Sequence, residues 1–417
     1  MENQTEPSRT PSEAVEPDVA ETANASPRPV SLLLLGLLSA FGPLSLDLYL
    51  PALPTLTANL VSSDSKGQLT LSACMVGLAL GQALAGTLSD RLGRRPVLIA
   101  GLSAYVAMSL ACSLAPTIEA IIAFRFLQGI AGGSSMVIAR AIVRDTYGPT
   151  NSARAFSLLM LAAGVAPIAA PVLGGQLLLV TTWRGLFTTL AIIVSVLLLA
   201  AIWRIPESLP QSQRHTGGFI RWLQQARLVF SDPVFGGAAA VQCLMGAGMF
   251  TFIGMSAFVF QGHYGLDAQA YGLLFAGISV GIVSFSRVSA WAAGRRRPSV
   301  VMGWGVSIAL VGAVAQMVAI AFGAQAWTVA ISLFLCISSG GLISPNCHAL
   351  ALRNQGQRTG TASGLLGLMQ FGLGALMGPL VSLAGATALA MGTAMLATTS
   401  LMAITYYLAV LRSSRFQ

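Results

Sequence analysis

Two ionisable side chains stand where such groups are costly. Asp47 and Arg125 each interrupt a long apolar run, and a charge at membrane depth usually lines a cavity or a conducting path. An aspartate can take up and release a proton, whereas an arginine keeps its charge at physiological pH. The pair suggests a protonation site at Asp47, with Arg125 tuning it or pairing with it when it is deprotonated. At the helical rise, Asp47 falls ~6 Å and Arg125 ~12 Å below the outer face of a ~30 Å core, a gap that side-chain reach can close. Plainer readings compete: Asp47 as a hydrated residue at a helix end beside Tyr49 and Pro51, and Arg125 as an arginine satisfied by backbone carbonyls.

A second cluster shapes the backbone. Pro167 and Pro171 lie in one apolar run with Gly164, Gly174 and Gly175. Prolines leave carbonyls unpaired and bend a helix, and small residues let helices approach closely. Catalytic chemistry is not indicated. No HExxH, nucleophile elbow or phosphate loop occurs, so an enzyme is not expected. Cys74, Cys112, Cys243, Cys336 and Cys347 form no CxxC and lie in apolar runs, so they are expected as small buried residues rather than metal ligands or a disulfide framework.

The elements that hold these residues follow from composition. The chain has 417 residues, 55% hydrophobic and 9% charged, with a mean hydropathy of +0.74. Soluble domains carry about 25% charged residues; a chain this poor in charge needs lipid as its solvent. The net charge of +9 does not indicate nucleic-acid binding, because the arginines sit singly or in small groups at the ends of apolar runs. The expected architecture is all-α and membrane-embedded, with twelve crossings: 31–50, 68–89, 96–115, 117–143, 153–181, 183–204, 233–261, 268–292, 299–322, 326–351, 359–384 and 386–411. Residues 1–29, acidic and proline-rich, read as a disordered tail. Residues 30–204 and 233–417 form two six-helix halves, joined by the polar segment 205–232. Within that segment, 219–230 reads either as an amphipathic helix on the inner leaflet or as a plain linker.

With twelve crossings, both termini share one side. Arg91, Arg94, Arg95, Arg140, Arg144, Arg204, Arg287 and Arg353 fall on that side with most other arginines, while Lys66 and Arg184 fall opposite. The positive-inside rule therefore puts both termini in the cytoplasm. A repeat supports two halves: Gly93-Arg94-Arg95-Pro96 is echoed by Arg295-Arg296-Arg297-Pro298, and Ala170-Pro171 by Gly378-Pro379, each roughly 200 residues on. Such repeats imply a central site between halves.

The turn Gly86-Thr87-Leu88-Ser89-Asp90-Arg91-Leu92-Gly93-Arg94-Arg95 matches the major facilitator superfamily motif between helices two and three. Arg125-Phe126-Leu127-Gln128-Gly129 resembles that superfamily's helix-four motif, which is associated with proton coupling. Ala170-Pro171-Val172-Leu173-Gly174-Gly175 resembles its helix-five antiporter motif, with alanine where the pattern has glycine before the proline. The first-helix stretch Pro43-Leu44-Ser45-Leu46-Asp47-Leu48-Tyr49-Leu50-Pro51 is similar to that of the Bcr/CflA group of bicyclomycin- and chloramphenicol-type drug:proton antiporters. So are Arg144-Asp145-Thr146-Tyr147, Trp183-Arg184 and Gly360-Thr361-Ala362-Ser363.

The resemblance implies proton-coupled efflux of drugs or other small amphipathic compounds by alternating access, in a bacterial inner membrane. It implies proton coupling at Asp47 and Arg125, an inner gate at Gly86, Asp90, Arg91, Gly93, Arg94 and Arg95, and an antiporter motif at Pro167, Pro171, Gly174 and Gly175. The second-half loop has Ala292 where the acid would stand, so the gate is expected to be one-sided. Candidate cavity liners are Met75, Gln82, Gln128, Met160 and Met245, with Phe250, Phe252, Phe258, Gln370 and Phe371, because methionines and aromatics suit a promiscuous pocket. No cofactor is expected beyond the proton gradient, and a monomer with small-molecule substrates, protons and lipid as partners. A specific exporter of an amino acid or small metabolite is the alternative within the fold; a non-transporting membrane sensor is the alternative outside it.

Overall fold

A computed structural model describes residues 31–214 and 219–411, and these are helical with no strand among them. The acidic tail and Gly217-Gly218 lie outside the described residues. Eleven helices are long and apolar enough to span a bilayer, and the shorter apolar helix Gly164–Leu177 occupies the fifth position.

The first half holds α1 (Leu32–Asp47), the short α2 (Leu53–Asn59), α3 (Asp64–Leu92), α4 (Arg94–Leu114), α5 (Ile118–Leu177) and α6 (Trp183–Arg204). The connecting segment contains α7 (Phe219–Phe230). The second half holds α8 (Pro233–Ala257), α9 (Ala268–Ala292), α10 (Pro298–Ala321), α11 (Ala326–Ser338), α12 (Gly340–Leu352), α13 (Thr359–Ser382) and α14 (Ala388–Thr405). Helix starts carry the expected caps. Thr117 accepts from the Ala120 amide, Asp267 from Ala270 and Thr387 from Ala390, which satisfies donors that the first turn leaves free.

Four elements differ from the sequence expectation. Helix α5 is continuous through the expected fourth and fifth crossings. Its ends still share one face of the molecule: Glu119 pairs with Lys66, and the Gly175 carbonyl accepts from Gln269. The chain therefore turns back between them. The first span runs on to Asn59 rather than stopping at residue 50. The expected turn 86–96 collapses to Gly93 alone, whose φ of +104° lets α3 and α4 meet without a loop. The tenth crossing breaks at Ser339, where its hydroxyl bonds the Cys336 carbonyl and that of Ser338 bonds Ile278.

In lipid, helices associate by close packing rather than by the hydrophobic effect. Gly77 and Gly81 of α3 face Gly129 and Gly133 of α5. A Cβ on Gly77 or Gly81 would strike the Phe126 or Ile130 carbonyl, and one on Gly129 or Gly133 the Cys74 or Leu78 carbonyl. In the second half, a Cβ on Gly341 of α12 would strike the Ile282 carbonyl of α9. The second- and fourth-position helices of each half thus meet through glycine. The α7 helix docks on the second half. Ala226 and Val229 join Phe235, Ala239 and Leu365 in one cluster, Thr361 donates to Gln225 at 2.6 Å, and Leu228 stays exposed.

Candidate functional site

Asp47 ends α1, just before the turn that Pro51 forces on the chain. With the span extended to Asn59, Asp47 is 12 residues from its outer end, ~18 Å if helical; it sits far deeper than the sequence suggested. The residue is 5% exposed. It makes no hydrogen bond or ion pair among the described residues. Its carboxyl lies within electrostatic reach of Tyr271 on α9, whose hydroxyl pairs with Ser256 of α8 at 2.9 Å.

Arg125 is fully buried on the other side of α1. Its Nη1 donates to the Ser45 carbonyl at 3.2 Å and to Gln128 Oε1 at 2.7 Å. Its guanidinium carbon sits 4.3 Å from the centre of the Tyr49 ring, a cation–π contact. Gln128 donates on to Ser109, and Tyr105 donates to Ser45 Oγ. The expected Asp47–Arg125 pair is therefore absent in this state. The reason is geometric: residues 45 and 47 are ~200° apart around a helix, so the face that offers the Ser45 hydroxyl to Tyr105 turns Asp47 away from the Arg125 network. Arg125 braces α1, α4 and α5 through a carbonyl that the end of α1 leaves free.

Asp47 lies on the seam between the halves, and the helix-five residues continue that seam. Pro171 cannot bond the Pro167 carbonyl, and this carbonyl accepts from Ser279 of α9 at 3.3 Å. A Cβ on Gly174 would strike the Leu48 carbonyl, and one on Gly175 the Ala268 carbonyl; across the seam, a Cβ on Gly272 would strike the Pro171 carbonyl. Gln261 donates to the Pro51 carbonyl at 3.0 Å. Phe258 lies beside Gly67, and Gln68 is wedged beside Gly254 and Gly378. Among the described residues, the hydrogen bonds and close glycine approaches between halves fall from mid-span to the end that carries Asn59, Gly175 and Ala268. The halves meet at that end.

At the inner end, Arg94 is 3% exposed and bonds Asp90 at 2.6 Å, Ser89 at 2.8 Å and Asp145 at 3.0 Å. Glu207, just past α6, accepts from the backbone amides of Arg94 at 2.8 Å and Arg95 at 3.2 Å, so it caps α4 and favours the positive end of its dipole. Arg95 also reaches the Ile202 carbonyl. Arg91 is exposed, and a Cβ at Gly86 would make only an ordinary contact with Val137. The second-half counterpart has no acid: Arg295 rests on the Trp291 ring and carbonyl. Replacing Arg94 by alanine should destabilise the protein by about 2 kcal/mol, because the partly buried Asp145 would keep only the exposed Arg144 at 3.6 Å and the Ser208 hydroxyl as partners. Replacing the half-exposed Asp90 should cost under about 1 kcal/mol. Thermal unfolding in detergent checks the difference; equal shifts would contradict it.

The candidate cavity liners separate. Met245 and Gln370 line a cavity of about 250 Å³ inside the second half. Met75 is packed in the first-half core, and Gln128 belongs to the Arg125 network. Gln82 accepts from Arg140 at 2.9 Å. Phe250 packs on Phe371 and Phe252 on Phe275, while Phe258 belongs to the outer seam. The side chain of Met160 lies outside those described. Sequence reasoning missed Glu207, whose signal was a carboxylate immediately after a span. It also counted Arg140 with the inner loops, although the residue lies within α5.

A family model described as Major Facilitator Superfamily matches residues 35–379. The chain is 34% identical over 360 residues to an uncharacterized MFS-type transporter, YdgK, of Bacillus subtilis, covering 86% of this chain and 90% of that one. It is 25% identical to a bicyclomycin resistance protein homolog of Haemophilus influenzae, covering 92% and 97%. Among solved structures, the nucleoside transporter NupG superposes with a TM-score of 0.75 at 13% identity, covering 91% and 98%; that likeness is one of fold alone.

Proposed function

The chain belongs to the Major Facilitator Superfamily, and on that premise we propose that it exports drugs or other small amphipathic compounds across the bacterial inner membrane, driven by inward proton movement. The similarity to a bicyclomycin resistance protein homolog supports drugs as substrates. The observation that carries proton coupling is Asp47, a buried carboxyl without a counter-ion on the seam that must open. A neutral acid fits the closed seam, whereas an ionised one calls for water or a counter-charge. The protonated carrier closes to the outside, loses its proton inward, takes up substrate and reopens outward. Arg125 serves as a fixed brace for α1, and Arg94 with Asp90, Asp145 and Glu207 stiffens the inner end of the first half. Both termini are cytoplasmic, as the arginine distribution indicates. The carrier works as a monomer and needs no cofactor beyond the gradient.

Reconstituted protein in inside-out oriented vesicles tests the reading. Substrate accumulation should follow an imposed pH gradient and collapse when a protonophore dissipates it. Accumulation that ignores the gradient would defeat the coupling claim.

A further inference from the structure

We propose that the cavity inside the second half binds a neutral, single-ring group carrying a hydrogen-bond acceptor, and that it does so independently of Asp47. Its role in transport rests on the export reading above; the binding itself does not. The cavity lies among the second-half helices α8 to α14, and neither Asp47 nor any other first-half residue lines it. At about 250 Å³ it falls just below the ~300 Å³ lower end of drug-sized pockets, so it holds one ring or one end of a larger molecule.

Its wall selects the chemistry. Met245, Met249, Met395 and Met402 contribute flexible, polarisable surface. The polar groups are neutral: Gln370, Ser339, Ser344 and Thr399. No Asp, Glu, Lys, Arg or His lines it, so an ion entering would shed water and find no counter-charge. Gln370 supplies a donor held in place. Gln370 Oε1 accepts from Gln242 Nε2 at 2.9 Å, and Gln242 is anchored again on Ser344 at 3.1 Å. Gln370 is thereby oriented, while its own Nε2 makes no hydrogen bond among the described residues and can donate to a carbonyl or hydroxyl oxygen. Gly340, at the break of the tenth crossing, leaves room: a Cβ there would approach only Met245 Sδ, at 3.4 Å.

Calorimetry on the purified full-length protein tests this with four probes of one ring size: benzamide, benzylammonium, benzoate and ethylbenzene. Benzamide should bind at least about tenfold more tightly than either ion. Gln370→Met should weaken benzamide about fivefold to tenfold, as expected for one hydrogen bond, and leave ethylbenzene unchanged. Gly340→Leu should abolish binding of both; should that variant fail to accumulate, Thr399→Phe fills the same space from α14. Asp47→Asn should bind benzamide as the wild type does. Equal binding of the ions, indifference to filling, or loss of binding in Asp47→Asn would each overturn the proposal. Export that ignores the proton gradient would instead overturn the export reading and leave these binding results standing.

Discussion

Replacing Asp47 by asparagine is expected to lower gradient-driven export to the level of vesicles without the protein, while the variant still accumulates in the membrane. Asparagine keeps the size and hydrogen-bonding capacity of the neutral acid, so the closed seam beside Tyr271 and Ser256 should pack as before. What it cannot do is ionise. Without that step the outer seam loses the charge that favours its opening, and proton movement no longer accompanies the cycle. Downhill substrate exchange should survive in part, because exchange needs substrate on both legs and no net proton transfer. Transport assays at matched protein levels separate the outcomes, and full pH-gradient-driven export by Asp47→Asn would sink the assignment.

The second large effect concerns folding. Gly129→Val should prevent stable assembly of the first half. A Cβ at Gly129 would strike the Cys74 carbonyl, which is backbone and cannot rotate aside. Neighbouring contacts at Gly77, Gly81 and Gly133 lock the same crossing, so α3 and α5 would have to separate along much of their length. Overpacking of this kind costs about 1–3 kcal/mol, occasionally more, and the lost helix contact adds to it. The matched control is Gly364→Ala, where nothing lies within 4 Å of an added Cβ; there the better helix propensity of alanine should leave stability unchanged or raised by up to about 1 kcal/mol. Membrane accumulation and thermal unfolding report both. A Gly129→Val protein that melts with the wild type would show that the crossing is not close-packed.

Much of the architecture was readable from the chain alone, because hydropathy and charge placement are local. An apolar run of about 20 residues has few solutions other than a membrane helix, and arginines gather at the run ends where loops must lie. The cationic connection between the second and third spans could likewise be read at short range, although it narrowed from the expected 86–96 to Gly93. The failures came where distance in sequence hides proximity. Glu207 caps α4 from 113 residues away, and nothing in its neighbours points to that helix. Asp145 was visible only as part of a motif, although it supplies half of the charge around Arg94.

Asp47 and Arg125 show the division most clearly. Their residue types and their places in apolar runs are properties of the sequence, and these marked both as candidates, although the depth of Asp47 emerged only with the span that runs on to Asn59. Which way each one points depended on where α1 ends and how it rotates against α5. Two positions along a helix reverse the direction of a side chain, so the Ser45 hydroxyl turned to Tyr105 and Asp47 turned away from the Arg125 network. The cavity in the second half had the same origin: Met245, Gln370 and Thr399 are far apart in the chain, and only the packing of the second-half helices around a broken tenth crossing brought them to one wall. Sequence determined which groups must lie in the membrane, because that depends on local transfer energy. Tertiary structure decided which groups meet, because that depends on helix rotation and on close approaches such as those at Gly129 and Gly174.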